Sequence, residues 1–330
     1  MLTSQNKSFK NVLITGINGS GGYYLAKYIL ENHPEVNIFG LSRWRSGFSL
    51  SKNKDFDKVK IIECDMNDFS SMARCLEISS PDLIFNMASH ANVKVSFETP
   101  LAVMQNNIFS TANLLEAIRV SKSDCLVVHC STSEVYGKVS EDEVPIKETT
   151  PIRPASPYAV SKTTQDLLCD VYFRSFGMKI IRTRMFGYIN PRRDDLFATA
   201  FAKQVVQIEN EKAIKLYHGN LESIRTLIDV RDAAESYWLT AMHCEPGEAY
   251  NIGGTSPIKV GECLEMLISL SKKKIITECS KSLLRPNDVT LQIPSSEKFL
   301  AKTNWKQRIP LSDSLEFLLN FWREKAQNDF

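Results

Sequence analysis

Apolar and polar residues follow two different spacings along the first half of the chain. Short apolar runs, mostly of β-branched residues, occupy positions 11–16, 37–43, 59–65, 82–89 and 125–131. Longer segments with apolar residues at helical spacing separate several of these runs, as at 70–78 and 104–120. This alternation is typical of βαβ units, whose parallel sheet is covered on both faces. We therefore predict an α/β protein with a Rossmann-type, doubly wound parallel sheet.

A second region with shorter elements is predicted after the sixth strand. The long helix before that strand ends at Gly177, and the strand itself ends near residue 187. Beyond it, helical and strand-like segments become shorter and less regular. The pattern predicts a cofactor-binding domain at 1–187 and, at 188–330, mainly a smaller C-terminal α/β substrate lobe. Segments at about 220–252 are expected to return to the first domain.

Composition and charge argue against several classes of function. Among 330 residues, 40 Lys and Arg face 38 Asp and Glu, and this balance does not favour nucleic acid or a membrane surface as partner. The eight cysteines form no C-x-x-C pair, which is typical of free thiols in a reducing compartment. Because the first residues lack an apolar signal core, we predict a cytoplasmic protein. The five histidines lack metal-ligand spacing, so no metal site is predicted.

A glycine-rich turn joins the first strand to the first helix. Gly16, Gly19 and Gly22 form a G-x-x-G-x-x-G pattern there. Glycines at such a turn let the backbone approach a pyrophosphate, which the amides and dipole of the helix N-terminus attract. Asp65 ends the third strand, where it can hold an adenine; the alternative is a turn with a purely structural role. The predicted dinucleotide site also contains Ser20, Met66 and Ala88.

The residues after the second strand bear on the phosphate state of the cofactor. Where an acidic side chain would bind the 2′-hydroxyl of NAD, the chain has Ser42, Arg43, Trp44, Arg45 and Ser46. Guanidinium groups suit a 2′-phosphate because they bind it with two parallel hydrogen bonds. Arg43 and Arg45 therefore favour NADP, with NAD as the alternative if both are ordinary surface charges.

A tyrosine and a lysine four residues apart indicate the chemistry. Tyr158 and Lys162 project from one face of the long predicted helix. An ammonium beside a phenol lowers the pKa of the phenol from its usual value of about 10, so that it can act as acid and base. Thr132, at the end of the fifth strand, would bind the oxygen whose proton Tyr158 transfers. Such spacing also occurs on exposed amphipathic helices, but here it accompanies the glycine turn and a hydroxyl-rich strand end.

Together these motifs resemble the extended branch of the short-chain dehydrogenase/reductase superfamily, which acts on nucleotide sugars. Within that branch the chain is most similar to the GDP-mannose 4,6-dehydratase family and its sister family, the GDP-4-keto-6-deoxymannose reductases. The resemblance spans nearly the whole chain and is carried by residues 86–100, 131–138, 156–162, 190–193, 219–225 and 285–289. It implies a catalytic set of Thr132, Glu134, Tyr158 and Lys162.

The resemblance implies an internal redox cycle that consumes no cofactor. Tyr158 would take the proton of the hexose 4-hydroxyl while hydride leaves carbon 4 for a tightly bound NADP. Glu134 would then remove the proton of carbon 5 and protonate the hydroxyl that departs from carbon 6. The same hydride would finally return to carbon 6.

The resemblance also implies a GDP-sugar pocket and an oligomer. Arg225 and Arg285 would face the pyrophosphate, since each supplies planar bidentate donors, and Asp288 would face a ribose hydroxyl. Solvated surface ion pairs are the alternative for these charges. Further substrate contacts are expected from Ser96, Arg192 and Lys203. Family members pair through helices like 101–120 and 156–176, which implies a homodimer or homotetramer.

The chain departs from the dehydratase pattern at 187–189, where Gly-Tyr-Ile replaces the family's Asn-His-Glu. A polar contact to the sugar phosphate or ring is therefore expected to be missing, which leaves hexose and heptose both open. A reductase, 4-dehydrogenase or epimerase on a related nucleotide sugar is one alternative function. A non-catalytic NADP-sensing protein is another, although a sensor has no need of the activated phenol that Tyr158 and Lys162 predict.

Overall fold

The central element of the fold is a parallel sheet of seven strands. The structure is a computed structural model that describes residues 7–43, 56–284 and 289–328. Numbered along the chain with all other strands, the seven are β1 (Asn11–Thr15), β2 (Asn37–Ser42), β3 (Lys60–Glu63), β4 (Leu83–Asn86), β5 (Leu126–Thr132), β6 (Ile180–Met185) and β11 (Ala249–Ile252). They lie in the order β11-β6-β5-β4-β1-β2-β3, and all neighbours are parallel. The predicted Rossmann-type α/β fold is confirmed.

Helices cover both faces of this sheet. They are α1 (Ser20–Asn32), α2 (Phe69–Ser79), α3 (Val93–Glu98), α4 (Pro100–Ser121), α5 (Pro157–Phe176), α7 (Val230–His243) and α9 (Glu297–Thr303). Successive residues of β1 point to opposite faces, as the pleat requires. Val12 and Ile14 pack in a core with Trp238 of α7, whereas Leu13 packs in a second core with Met72 of α2 and Leu114 of α4.

Local sequence sets both ends of helix α5. The hydroxyl of Ser156 accepts a hydrogen bond from the backbone N–H of Ala159 (3.0 Å), and proline occupies the first helical position. Gly177 ends the helix in the left-handed region, with φ of +67°. The helix therefore begins directly before Tyr158, which lies in its first turn, with Lys162 one turn later.

The remaining elements form the smaller lobe. They are β7 (Tyr188–Ile189), β8 (Leu216–His218), β9 (Ile224–Thr226), β10 (Ile228–Asp229), β12 (Pro257–Lys259), β13 (Thr277–Cys279), β14 (Leu291–Gln292), α6 (Phe197–Glu209), α8 (Val260–Ser269) and α10 (Leu311–Asn328). Strands β12, β9 and β14 form one small sheet, while β8 pairs with β13 and β7 with β10. Phe201 of α6, Leu264 of α8 and Leu318 of α10 share a third hydrophobic core.

Parts of the second half pack with the first domain. Strand β11 pairs with β6, and α7 packs on α1. Within the segment at about 220–252 that the sequence predicts to return, β9 at Ile224–Thr226 instead pairs with β12 and β14 of the lobe. Phe299 and Trp305 also join the core of the first domain, although their position in the sequence assigned them to the lobe. The domain boundary near residue 187 stays a prediction.

One further finding concerns membranes. In the described part of the chain, none of the helices combines the length and the apolar character that crossing a bilayer requires.

Candidate active site

The carboxyl ends of β1 and β4 meet where the strand order reverses. The hydroxyl of Thr15 donates to Oδ1 of Asn86 (2.9 Å) and accepts from the backbone N–H groups of Met87 (2.9 Å) and Ala88 (3.0 Å). Doubly wound sheets bind their ligands in the crevice at such a switch point. Ala88, a predicted cofactor residue, therefore lies at this crevice.

The glycine turn has no room for side chains. Gly16 has φ of +65°, and a Cβ there would lie 2.9 Å from Cα of Ala88. A Cβ at Gly22 would lie 2.5 Å from the carbonyl oxygen of Gly16. Helix α1 begins at Ser20, its N-cap Gly19 supplies no capping side chain, and its first turn carries no acidic residue. The backbone amides of this N-terminus are therefore available to an anion, and the turn fits the pyrophosphate of a dinucleotide.

The other predicted cofactor residues lie at the ends of β2 and β3. Arg43 directly follows β2 and is exposed. Burial lowers the pKa of His90, and the positive charge of Arg43 lowers it further. Asp65 is exposed, whereas Met66 is buried. Arg45 lies outside the described residues.

Three predicted catalytic residues meet at the end of β5. Thr132 ends the strand, and hydrogen bonding from its side chain acts to lower the pKa of the Tyr158 phenol. Nζ of Lys162 donates to the carbonyl oxygen of Cys130, two residues earlier on the strand (2.5 Å). Thr132, Tyr158 and Lys162 are only 9%, 8% and 3% exposed. This buried set of a hydroxyl, a phenol and an ammonium, which we call the catalytic floor, can move a proton at one substrate oxygen.

Glu134 lies beside the catalytic floor, on a single 3-10 turn at Ser133–Tyr136. Its backbone N–H donates to Oγ1 of Thr132 (3.3 Å), and its negative charge acts to raise the pKa of Tyr158. Oε1 of Glu134 accepts a hydrogen bond from Nε2 of Gln292 in β14 (3.1 Å). The sequence carried no signal for Gln292, since 158 positions separate it from Glu134.

The ionisation of Tyr158 differs from the expectation. Burial raises the pKa of the phenol, and the charge of Arg193 is the largest influence that opposes it. The ammonium of Lys162, which the spacing predicts beside the phenol, is instead bonded to the Cys130 carbonyl, and burial lowers the pKa of Lys162 itself. The prediction that the pKa of the phenol is lowered is therefore wrong, because the burial of Tyr158 raises this pKa more than the nearby positive charges lower it.

A buried network of ionised side chains lies next to the catalytic floor. Asp166, one turn after Lys162, accepts hydrogen bonds from Ser131 Oγ (2.7 Å) and from Nε and Nη2 of Arg184 (both 3.0 Å). Burial acts to raise the pKa of Asp166, but Arg184, Ser131 and Arg182 together outweigh it and hold that pKa below its usual range. Sequence reasoning missed Asp166, although its position four residues after Lys162 puts both on one helix face.

Two predicted substrate cations lie on the lobe. Arg225, on β9, donates to the backbone carbonyls of Ile224 and Val289. Lys203, on α6, has its ammonium 4.8 Å from the ring centre of Trp322 and 3.8 Å from Oδ2 of Asp194. Both keep their charge close to the surface, where an anion can reach it.

The other predicted substrate residues are less well placed to contact a substrate on the lobe. The guanidinium of Arg192 lies 4.0 Å from the ring centre of Tyr23, against the glycine-turn helix rather than in the lobe. Ser96 has no exposed surface, and its hydroxyl donates to the carbonyl of Val93 (2.6 Å). The expected contact of Ser96 with substrate is therefore corrected, because the hydroxyl is turned into its own helix. Arg285 and Asp288 lie outside the described residues.

The departure at residue 187 has a physical cause. Gly187 approaches β9 so closely that a Cβ would lie 2.9 Å from the carbonyl oxygen of Thr226. Its own carbonyl accepts from the backbone N–H of Ile228 (3.2 Å). An asparagine at this position would need the backbone to shift, so the family's polar contact cannot be restored by a side chain alone.

Metal chemistry has no support at this site. Over 7–43, 56–284 and 289–328, no group of three or more His, Cys, Asp or Glu side chains is placed to hold a metal ion.

Sequence comparison finds a dehydratase and a reductase among the relatives of this chain. The family model described as GDP-mannose 4,6 dehydratase matches residues 13–317. A GDP-mannose 4,6-dehydratase of Yersinia enterocolitica is 32% identical over 268 residues, which cover 78% of this chain and 71% of that protein. A GDP-6-deoxy-D-mannose reductase of Pseudomonas aeruginosa is 27% identical over 251 residues, which cover 76% and 83%.

Solved structures share the fold. RMD from Pseudomonas aeruginosa, complexed with NADPH, superposes with a TM-score of 0.82 at 23% identity over 96% of this chain and 100% of that chain. A UDP-glucose 4-epimerase of Thermus thermophilus, complexed with NAD, gives 0.82 at 26% identity over 94% and 98%. The resemblance that the motifs indicate is confirmed by these comparisons.

Proposed function

The chain belongs to the GDP-mannose 4,6-dehydratase family, and we propose that it is a nucleotide-sugar 4,6-dehydratase acting on GDP-mannose or a close GDP-sugar. One observation carries this proposal. Thr132, Tyr158 and Lys162 form a buried catalytic floor. Glu134 lies beside this floor, and the negative charge of its carboxylate acts to raise the pKa of the Tyr158 phenol. A dehydratase needs this second acid–base group in addition to the phenol, because it must break a C–H and a C–O bond after the first oxidation.

Tyr158, Thr132 and Glu134 each have a proposed role in the reaction. Tyr158 takes the proton of the 4-hydroxyl as the bond between carbon 4 and its hydrogen breaks, with Thr132 on the same oxygen. A bound nicotinamide would supply the redox chemistry, accepting hydride from carbon 4 and returning it to carbon 6. Glu134 removes the carbon-5 proton, which the 4-ketone acidifies, and gives it to the hydroxyl leaving carbon 6 as water. When carbon 6 is reduced, carbon 5 takes up one proton, which balances the proton that Tyr158 took from the 4-hydroxyl, so the net change is loss of one water.

The cofactor is proposed to be NADP, tightly bound and recycled. Supporting observations are the anion-accepting N-terminus of α1 and the exposed Arg43 directly after β2, where NAD enzymes carry an acidic residue. Residues Gly16, Gly19, Ser20 and Gly22 would hold the pyrophosphate, and Asp65 the adenine. NAD stays the alternative.

The GDP moiety is proposed to lie on the lobe. Arg225 and Lys203 supply its cations: Arg225 donates to two backbone carbonyls, and Lys203 lies near the Trp322 ring and 3.8 Å from a carboxylate oxygen of Asp194. A diphosphate would give these cations stronger, charge-assisted hydrogen bonds. The proposed division places the cofactor in residues 1–187 and most of the substrate site in residues 188–330.

The protein is further proposed to form a homodimer or homotetramer. Helices α4 and α5 pack side by side and carry several large apolar side chains that are exposed: Leu101, Phe109, Val120, Val160, Leu167, Val171 and Phe176. Contiguous exposed apolar surface on a soluble protein is typical of an interface. Light scattering of the purified protein should give the mass of two or four chains.

The test of the function is direct. Purified protein incubated with GDP-mannose and no added cofactor should produce the 4-keto-6-deoxy sugar nucleotide, identified by mass spectrometry as loss of water. The Tyr158→Phe variant is the matched control, because it keeps the glycine turn and should lose at least about 100-fold in rate. Absence of product from every GDP-hexose offered would rule out the dehydratase.

A second candidate is a reductase, 4-dehydrogenase or epimerase on a related nucleotide sugar. The 27% identity with a GDP-6-deoxy-D-mannose reductase of Pseudomonas aeruginosa supports this alternative. These enzymes would use the same Tyr158 and Lys162, but a reductase would consume NADPH stoichiometrically with a 4-keto substrate. Oxidation of NADPH by the 4-keto-6-deoxy sugar, without water loss from GDP-mannose, would identify it.

A further inference from the structure

Strand β14 lies between the small lobe and the 3-10 turn beside the catalytic floor. On the lobe side, Gln292 is the direct partner of Arg225 in β9, where the two strands run parallel. On the other side, Leu291 packs against the hydrophobic cluster that contains Val135 of the 3-10 turn. Neighbours on both sides therefore fix the position of β14, and Gln292 is only 6% exposed.

The side chain of Gln292 reaches the carboxylate of Glu134. Its Nε2 donates to Oε1 of Glu134 at 3.1 Å, and Glu134 itself is half-buried. A carboxylate has two acceptor oxygens, whereas the amide nitrogen of glutamine is a neutral donor. A hydrogen bond to Oε1 therefore limits rotation of the carboxylate and leaves Oε2 for the transfer of a proton.

We propose that Gln292 is a positioning residue that orients the carboxylate of Glu134 for proton transfer at carbon 5. This inference rests on the proposed function, in which Glu134 takes that proton and passes it to the hydroxyl leaving carbon 6. Both transfers need the carboxylate within hydrogen-bond reach of the reacting atoms, so both depend on its orientation.

A neutral donor suits this task. An ammonium or guanidinium in the same place would also hold the carboxylate, but its charge would favour the ionised form and make the carboxylate a weaker base. The amide of Gln292 supplies the hydrogen bond without that charge. It comes from a strand whose position is already fixed, so the orientation does not depend on a mobile partner.

A purely structural role is the competing explanation, in which Gln292 only holds β14 on the 3-10 turn. The strand pairing separates the two roles. Because Gln292 is the partner of Arg225, loosening β14 would disturb the proposed GDP site and weaken GDP binding. A positioning role predicts slower elimination with unchanged affinity for GDP.

The experiment follows the two halves of the reaction separately. Protein saturated with NADP is mixed with GDP-mannose; the absorbance of reduced cofactor follows the first oxidation, and mass spectrometry follows the loss of water. Gln292→Met keeps the length of the side chain without its donor, and should slow water loss by about 10- to 100-fold, the usual effect of one hydrogen bond to a charged group. Reduced cofactor should accumulate, and calorimetric titration should give the wild-type affinity for GDP.

Two further variants test the chemistry of the contact. Gln292→Glu keeps the native shape but places a second carboxylate beside Glu134, so it should slow elimination at least as much as Gln292→Met, since like charges repel. Gln307→Met is the matched control. Gln307 donates to the backbone carbonyls of Leu227 and Ile309, and its replacement should leave the rate of water loss unchanged. Circular dichroism shows that each variant is folded.

A double-mutant cycle shows whether Gln292 acts through Glu134. In Glu134→Gln no carboxylate is left to orient, so adding Gln292→Met should slow elimination no further. Equal slowing by Gln292→Met in both backgrounds would overturn the proposal, because it would mean that Gln292 acts independently of Glu134.

The remaining outcomes separate this inference from the proposed function. Wild-type protein that removes water from none of the GDP-hexoses offered would overturn both. Wild-type protein that is active, with water loss equally fast in Gln292→Met, would overturn the inference alone. Weaker GDP binding in Gln292→Met without accumulation of reduced cofactor would also overturn it, in favour of the structural role.

Discussion

The catalytic floor and the small lobe hold their charged groups in opposite ways. Below the floor, Asp166 is fully buried and its carboxylate is bonded to Arg184 and Ser131. On the lobe, Arg225 donates to the backbone carbonyls of Ile224 and Val289, and Lys203 lies 3.8 Å from Asp194. The charged groups at the catalytic floor are thus already paired without substrate. The cations on the lobe have partners that the phosphate groups of a substrate can replace.

This difference separates two energetic roles. A buried, fully paired carboxylate is costly to disturb, because removing one partner leaves an uncompensated charge in a poorly solvated site. A guanidinium on carbonyl partners loses little when a phosphate replaces them and gains a charge-assisted bond. We therefore expect changes at the floor to affect rate or folding, and changes on the lobe to affect binding.

The largest expected effect is the loss of elimination rate when the carboxylate of Glu134, beside the catalytic floor, is replaced. In Glu134→Gln the first oxidation should proceed, since Tyr158 and Lys162 are unchanged, but elimination should slow by about 100- to 10,000-fold, the usual range for a lost acid–base group. A 4-keto sugar should accumulate with reduced cofactor, detected by NADPH absorbance. The exposed Glu141→Gln is the control and should behave as wild type. Wild-type rates of water loss in Glu134→Gln would make Glu134 a structural residue only.

The buried network below the floor should dominate folding stability. Asp166→Ala leaves Arg184 and Arg182 without their shared carboxylate, and should lower the free energy of unfolding by about 3–5 kcal/mol. Denaturant titration measures this loss, with the exposed Asp142→Ala as control. If both variants unfold at the same denaturant concentration, the network is not a stabilising support.

On the lobe the effect should appear in binding alone. Arg225→Ala should weaken GDP binding by about 10- to 100-fold, because a hydrogen bond to a charged group contributes about 1.5–3 kcal/mol. Calorimetric titration with GDP checks this, and kcat should change far less than KM. The exposed Arg153→Ala, whose partner is Glu143, is the control. If Arg225→Ala lowers kcat and leaves the affinity for GDP unchanged, the lobe and the catalytic floor do not have the separate roles proposed here.

The smallest expected effect is the change in cofactor preference when Arg43, directly after β2, is replaced. Wild-type protein should bind NADP at least about tenfold more tightly than NAD, and Arg43→Ala should remove most of that preference, since it removes one bidentate phosphate contact. Fluorescence titration with both cofactors measures the ratio, with the exposed Lys58→Ala as control. Equal affinities in the wild type would contradict the choice of NADP.

Much of the first domain could be predicted from the sequence, because its signals are local. The alternation of short apolar strands and helices predicted the parallel sheet, and the glycines after β1 predicted the turn. Pro157 and Gly177 mark the ends of α5, and the four-residue spacing puts Tyr158 and Lys162 on one face of it. Such features depend on neighbours within one or two turns of chain, which a sequence shows directly.

The sequence by itself therefore determined the sheet, the glycine turn and three groups of the catalytic floor. Only the tertiary structure decided what surrounds them. Gln292 reaches Glu134 from 158 positions away, and the positive charge of Arg193, which lies on another element, acts to lower the pKa of Tyr158. The phenol's pKa rises where the spacing predicted a fall, because burial depends on every element packed around the residue rather than on the lysine four positions away.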